Sequence, residues 1–256
     1  MGLSTGGRQR NGPRFRSFHP TAAWPSAGPS AGTESLKKMS WWVHDLIQAG
    51  MTDLLVCWVF WVIFSICLHE LSHGWAAIWQ GDRTPIELGH MNFNPMTHMG
   101  GLSLLFLAIV GIAWGLMPTD PSRYRWGRRG RIFVAGAGPA MNFALALVCI
   151  VLGGLWVRFG AGGNFDPSDD LVTMFFHSGA MLNLILAAFN LLPIPPLDGS
   201  QILMGFSYRF YEFFHRQEVQ TFGLFLMLAI LWFGLFGFAF AVARDLSAAG
   251  ITLIGT

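Results

Sequence analysis

Hydrophobic positions fall in long blocks along this chain, with polar residues gathered between them. Residues 54–68 carry no charge, and their continuation to Gln80 predicts a helix long enough to cross a bilayer. Residues 101–117 form a shorter apolar run, interrupted by Gly111 and Gly115. Two clear spans follow at 132–157 and 171–192, the second ending in the breakers Pro193, Pro195 and Pro196, and a last apolar block occupies 219–242. Residues 207–220 mix aromatics with Arg209, Glu212, Arg216 and Glu218, which suggests a helix lying at the membrane interface. Residues 84–101 break the helical pattern with Pro85, Gly89, Asn92, Asn94, Pro95, Gly100 and Gly101, while Ile86/Leu88 and Met91/Phe93 are spaced as in short strands. The pattern predicts an all-α polytopic membrane protein of about four to six transmembrane helices. A small β-hairpin or loop follows the first core helix, and 101–117 forms a re-entrant apolar segment.

Composition agrees. Hydrophobic residues make up 53% of the 256 and charged residues only 12%, about half the charge of a soluble domain. A net charge of +2 is too small to point to nucleic acid. Cys57, Cys67 and Cys149 all sit inside apolar runs and offer neither a disulfide framework nor a CxxC pattern. Residues 1–40 differ: they are rich in Gly, Pro and Ser, carry Arg8, Arg10, Arg14, Arg16, Lys37 and Lys38, and hold one acid, Glu34. They read as a disordered basic tail, with a transit peptide or a start codon placed too early (Met39 or Met51 being the real start) as alternatives. Residues 41–256 read as a single membrane-embedded domain.

The strongest chemical signal is His69-Glu70-Leu71-Ser72-His73. Positions i and i+4 share a helix face, so both imidazoles reach one metal, while Glu70 is turned toward a water rather than toward the metal. Composition alone predicts roughly 0.005 such patterns in a chain like this. Histidine and glutamate at membrane depth are costly and usually functional, so the pattern points to Zn2+ rather than to helix capping. A catalytic zinc wants a third protein ligand. Asp166, Asp169 and Asp170 lie in a polar loop and read as solvated. Asp198 follows a run of prolines and precedes Gly199, which lets the backbone come close. It is either a third ligand or the N-cap of a helix beginning at Ser200.

Three motifs in order then resemble the site-2 protease family of intramembrane zinc metalloproteases. These are HELSH in the first long helix, Gly138-Pro139-Ala140-Met141-Asn142 in a middle helix, and Asn190-Leu-Leu-Pro-Ile-Pro-Pro-Leu-Asp198-Gly199 in a later one. The resemblance covers roughly residues 50–245 and is to the compact bacterial-type subgroup without PDZ or CBS domains. It implies His69, His73 and Asp198 as zinc ligands, Glu70 as the catalytic glutamate, and Asn190 as a holder of substrate backbone. Asn142 is either a second substrate contact or a helix–helix hydrogen bond. The stretch ending in His98 also resembles the family, but Met99 and Gly100 stand where an acidic residue is common. The implied activity is hydrolysis of peptide bonds in or near transmembrane segments of membrane-anchored proteins. The competing classes are a metal-binding membrane protein without hydrolysis and a transporter. Neither needs Glu70, and no repeated halves stand out.

Membrane topology follows from sharing one metal. His69 lies about 22 Å along its helix from Leu54, and Asp198 lies just past its own span, so both spans must exit on one face. That requires 101–117 to return to the face it left. The loop 118–131 then shares the active-site face, and Arg123, Arg125, Arg128, Arg129 and Arg131 make that face cytosolic. The expected location is the inner membrane of a bacterial cell.

Overall fold

In a computed structural model, residues 42–232 and 236–256 are described. The basic tail expected over 1–40 lies outside them. The first helices are α1 (Trp42–Gln48), α2 (Thr52–Gln80), α3 (Thr84–Glu87), α4 (Pro95–Val110) and α5 (Arg128–Phe159). They are followed by α6 (Leu171–Asn190), α7 (Asp198–Phe206), α8 (Tyr208–His215), α9 (Gln217–Trp232) and α10 (Phe236–Gly255). Four of them, α2, α5, α6 and the Gly237–Gly255 stretch of α10, are long and apolar enough to cross a membrane, which makes this an integral membrane protein.

The central helix is α5, which packs against α2, α6, α7 and α10. Its contact with α6 and α10 is made through Cys149, with Trp61 of α2, Ala180, Met181 and Ile185 of α6, and Ala243 of α10 completing one buried cluster. Close approach to α10 depends on Gly154, where a Cβ would overlap the side chain of Ile254. Small residues take this role because lipid supplies no hydrophobic force to push helices together, leaving close packing to do so.

Helix α2 ends at Gly81, which adopts φ 100°, a left-handed conformation that glycine enters without a Cβ penalty. Past this cap, Gln80 accepts a bond from the Arg125 N–H at 2.7 Å through its carbonyl. Arg131 at the start of α5 donates to Gln201 of α7 at 2.8 Å. One end of the molecule thus gathers the C-terminal end of α2, the arginine-rich start of α5, and α7. At the other end of α5, Trp156 donates to Asp170, the N-cap of α6, at 2.6 Å.

No β-strand occurs among the described residues, so the hairpin expected after the first core helix is corrected to two helix starts and a turn. The prolines and asparagines read as hairpin punctuation are helix-initiation signals. Thr84 is held by Asp82, whose carboxylate accepts from its N–H and hydroxyl, and Pro85 enters the first turn of α3. Asn94 caps α4 by accepting from the Met96 N–H, with Pro95 as first residue. The apolar block 219–242 is described as helix α9 up to Trp232 and helix α10 from Phe236.

The segment expected to be re-entrant does reverse. Helix α4 is broken at Gly100 (φ 66°, ψ 165°) and ends at Gly111 (φ 82°), after which the chain returns alongside it. The Ser103 hydroxyl donates to the Trp114 carbonyl at 2.7 Å and accepts from its N–H at 2.8 Å, and the Leu116 N–H donates to the His98 carbonyl at 2.8 Å. Ile66 of α2 with Met99 and Leu107 of α4 fixes this excursion against the first core helix. The helical part after the break, 101–110, is about 15 Å long, half of a bilayer core of about 30 Å.

Candidate metal centre

Two helices bring three side chains that could hold one metal ion to one point. His69 and His73, one turn apart on α2, turn their rings nearly perpendicular, with centroids 4.7 Å apart. Helix α7 begins at Asp198 and delivers its carboxylate to them. Asp198 Oδ2 lies 3.1 Å from His69 Nε2 and 3.4 Å from His73 Nε2, and the two Nε2 atoms are 3.0 Å apart. All three atoms meet the distance criterion for a shared metal, and the group does not include Glu70. Of the two readings left open for Asp198, capping is absent: Leu197 is the N-cap of α7, without a side-chain bond. Gly199 allows this placement, since a Cβ there would collide with the carbonyls of Leu191 and Leu192.

The other ring nitrogens settle what faces the centre. His73 Nδ1 lies 2.7 Å from the carbonyl of Val134, and His69 Nδ1 lies 2.5 Å from Oδ1 of Asn142. Both partners are acceptors, so both Nδ1 atoms donate, and in the neutral rings both Nε2 atoms carry lone pairs. With both rings neutral, two lone pairs and a carboxylate oxygen converge there, an arrangement that a cation satisfies. The size also fits. A tetrahedral zinc with arms of about 2.0–2.1 Å separates its ligand atoms by about 3.3 Å, against 3.0, 3.1 and 3.4 Å here.

Space for an ion is kept by α5. A Cβ on Gly138 would overlap the Nε2 atoms of both histidines. Glu70 is 7% exposed and lies beside the group, beneath the returning segment, where a Cβ on Gly115 would strike its carboxylate. A buried carboxylate next to three converging ligands is placed to handle protons at a water in that pocket.

The remaining expected residues divide. Asn142 is completely buried behind His69, where Nδ2 also donates to Oδ1 of Asn183 at 2.9 Å. Asn190 is half-buried near the end of α6 and donates to the Leu186 carbonyl of its own helix at 3.0 Å. His98 is buried and donates from Nε2 to the Asn92 carbonyl at 2.6 Å, away from the ligand group. Reading the sequence missed Asn183, Gly115 and the Val134 carbonyl. Only Asn183 left a trace, as a polar residue in the middle of an apolar span.

The sequence profile of peptidase family M50 matches residues 58–165 and 163–234 of this chain. YwhC of Bacillus subtilis (strain 168), provisionally named a zinc metalloprotease, is 33% identical over 143 residues, which cover 56% of this chain and 65% of that protein. Rip2 of Mycobacterium tuberculosis (strain ATCC 25618 / H37Rv), provisionally named in the same way, is 31% identical over 164 residues, 61% of this chain and 58% of that one. Zinc metalloprotease MJ0392 of Methanocaldococcus jannaschii is 27% identical over 184 residues, 69% of this chain and 44% of its own. The chain thus spans less than two-thirds of each of these relatives. No solved structure matches it. Because the profile runs from α2 through α9 and so takes in both histidines and the aspartate they meet, the chain belongs to peptidase family M50.

Proposed function

We propose that this protein is an intramembrane zinc endopeptidase that hydrolyses peptide bonds in or near transmembrane segments of membrane-anchored proteins. One observation carries the reading: His69, His73 and Asp198 present three acceptors to one point, with Glu70 buried beside them. The names of the relatives support it. Zinc held there would polarise a substrate carbonyl and lower the pKa of water. Glu70 takes the proton from the attacking water and passes it to the leaving amine. Asn190 holds substrate backbone, an assignment resting on the family resemblance. A transmembrane helix hides its peptide bonds in internal hydrogen bonds, so substrate must unwind before it reaches Glu70. The segment 84–99 has no strand on which an unwound peptide could pair.

Protein purified in detergent should hold one zinc per chain and cleave a model transmembrane peptide. A chelator should abolish cleavage and added zinc should restore it. Zinc bound without any cleavage would leave a metal-binding membrane protein, and cleavage indifferent to chelation would remove zinc from the reaction.

The site opens toward the cytosol. The reversal at Gly111 and the shared end of α2, α5 and α7 support this, together with the arginines of 123–131. The opposite loop is acidic, and hydrogen bonds from Ser168 hold the Asp166 carboxyl below its usual range. In intact cells a membrane-impermeant thiol reagent should label Ser168→Cys and spare Ser122→Cys. The reverse pattern would invert the orientation.

A further inference from the structure

We infer that Asn142 and Asn183 are positioning residues: a ladder of amides, anchored on the Gly179 carbonyl of α6, fixes His69 with its Nε2 lone pair toward the ligand group. The inference rests on the zinc reading above and assigns Asn142 a place behind the metal site instead of a contact with substrate.

The argument starts at the far end. The carbonyl of Gly179 can only accept, and Asn183 Nδ2 donates to it at 2.9 Å. This fixes the Asn183 amide, turning its Oδ1 toward α5, where it accepts from Asn142 Nδ2 at 2.9 Å. The Asn142 amide is then fixed in turn, and its Oδ1 faces His69 Nδ1 at 2.5 Å. Reversing either amide would set two acceptors against each other at some step of the ladder. His69 must therefore carry a proton on Nδ1, so that the neutral ring presents a bare Nε2, 3.1 Å from Asp198.

Nothing else competes for these groups. Asn142 and Asn183 are both 0% exposed, so neither is open to substrate or water, and burying an amide in a membrane span is tolerated only when it is bonded. The ladder crosses three helices, from α6 through α5 to α2. His73 obtains the same service in a single step, because the Val134 carbonyl lies 2.7 Å from its Nδ1. Metal-bound histidines generally need such a partner on the other nitrogen, and losing it costs about 10- to 100-fold in metal affinity. Mere adhesion between helices, the other use of buried asparagines, would strengthen packing without any effect on the metal.

Leucine and aspartate substitutions separate the two roles. Leucine keeps the volume and removes the ladder. A protonated aspartate keeps its direction, since its hydroxyl donates forward and its carbonyl accepts from behind. Zinc dissociation constants would be measured by chelator competition on the full chain in detergent. Asn142→Leu should weaken zinc about 10- to 100-fold and Asn183→Leu by a smaller factor. The double leucine variant should be no weaker than Asn142→Leu alone, because both act through one ring. Asn142→Asp and Asn183→Asp should stay close to the parent. Leucine variants that bind zinc as the parent does, or a double variant losing the product of the two single losses, would overturn the ladder and leave the metal site standing. Parent protein that binds no zinc overturns the metal reading, and this inference with it. Should Asn142→Leu fail to fold, Asn183→Leu decides alone: it touches no ligand, so a weakened site supports the ladder and an unchanged one refutes it.

Discussion

Glu70→Gln is expected to eliminate hydrolysis of a transmembrane peptide while one zinc per chain stays bound. Glu70 follows His69 directly, so on a helix of 3.6 residues per turn it points about 100° away from the face that His69 and His73 share. It stands outside the three-ligand group and makes no ion pair with any described residue. Glutamine matches its shape and cannot accept a proton. A positioned general base contributes about 10²- to 10⁴-fold, so kcat should fall by at least that much. Two measurements check this: turnover of the peptide, and zinc content after gel filtration. Residual turnover near the parent's would place the base elsewhere. Zinc lost together with activity would mean that Glu70 is itself a ligand.

The site was far more legible in the sequence than the connections around it, and the reason is the range of the forces involved. His69, Glu70 and His73 lie within one helical turn, so helix geometry alone sets their relation. Asp198 is 125 residues beyond His73, and spacing could not choose between ligand and cap. The placement of Asp198 beside the histidines depends on Gly199 letting α7 cross the carbonyls of Leu191 and Leu192, a tertiary fact. The four spanning helices were legible for the same reason as the motif, since bilayer thickness imposes length and apolarity on each one separately.

The expected hairpin at 84–101 failed because proline and asparagine are ambiguous punctuation. Asn94-Pro95 ends a strand or starts a helix equally well, and the free Met96 N–H, satisfied by the Asn94 side chain, decides for the helix. The reversal at Gly111 was legible only through a chain of reasoning from the metal. Both ligand-bearing helices had to exit on one face, and 101–117 was the single block short enough to comply. Gly115 and Asn183 show the remaining limit. One is important for what its missing Cβ does not strike, the other for a bond between α5 and α6, one helix removed from His69, and neither property has a local signature.

Gly138→Ala should destroy the metal site. Alanine in a helix is favoured over glycine by about 1 kcal/mol, and Gly138 lies within α5, so local propensity gains. The added methyl has nowhere to go on the side facing α2, where it would overlap the Nε2 atoms of His69 and His73. Those atoms cannot retreat. The Val134 carbonyl holds one ring and Asn142 the other, each by a hydrogen bond on the far nitrogen. Relief must come from displacing α5, which would also move Val134 and Asn142 and release both rings at once. Zinc affinity should drop by about two orders of magnitude or more, as much as removing a ligand through Asp198→Ala. Thermal unfolding provides the contrast: added zinc should raise the Tm of the parent protein through preferential binding to the folded state and leave that of Gly138→Ala unchanged. A Gly138→Ala protein that keeps stoichiometric zinc would show that the rings have room to move, and that the bonds to Val134 and Asn142 do not hold them as rigidly as the geometry requires.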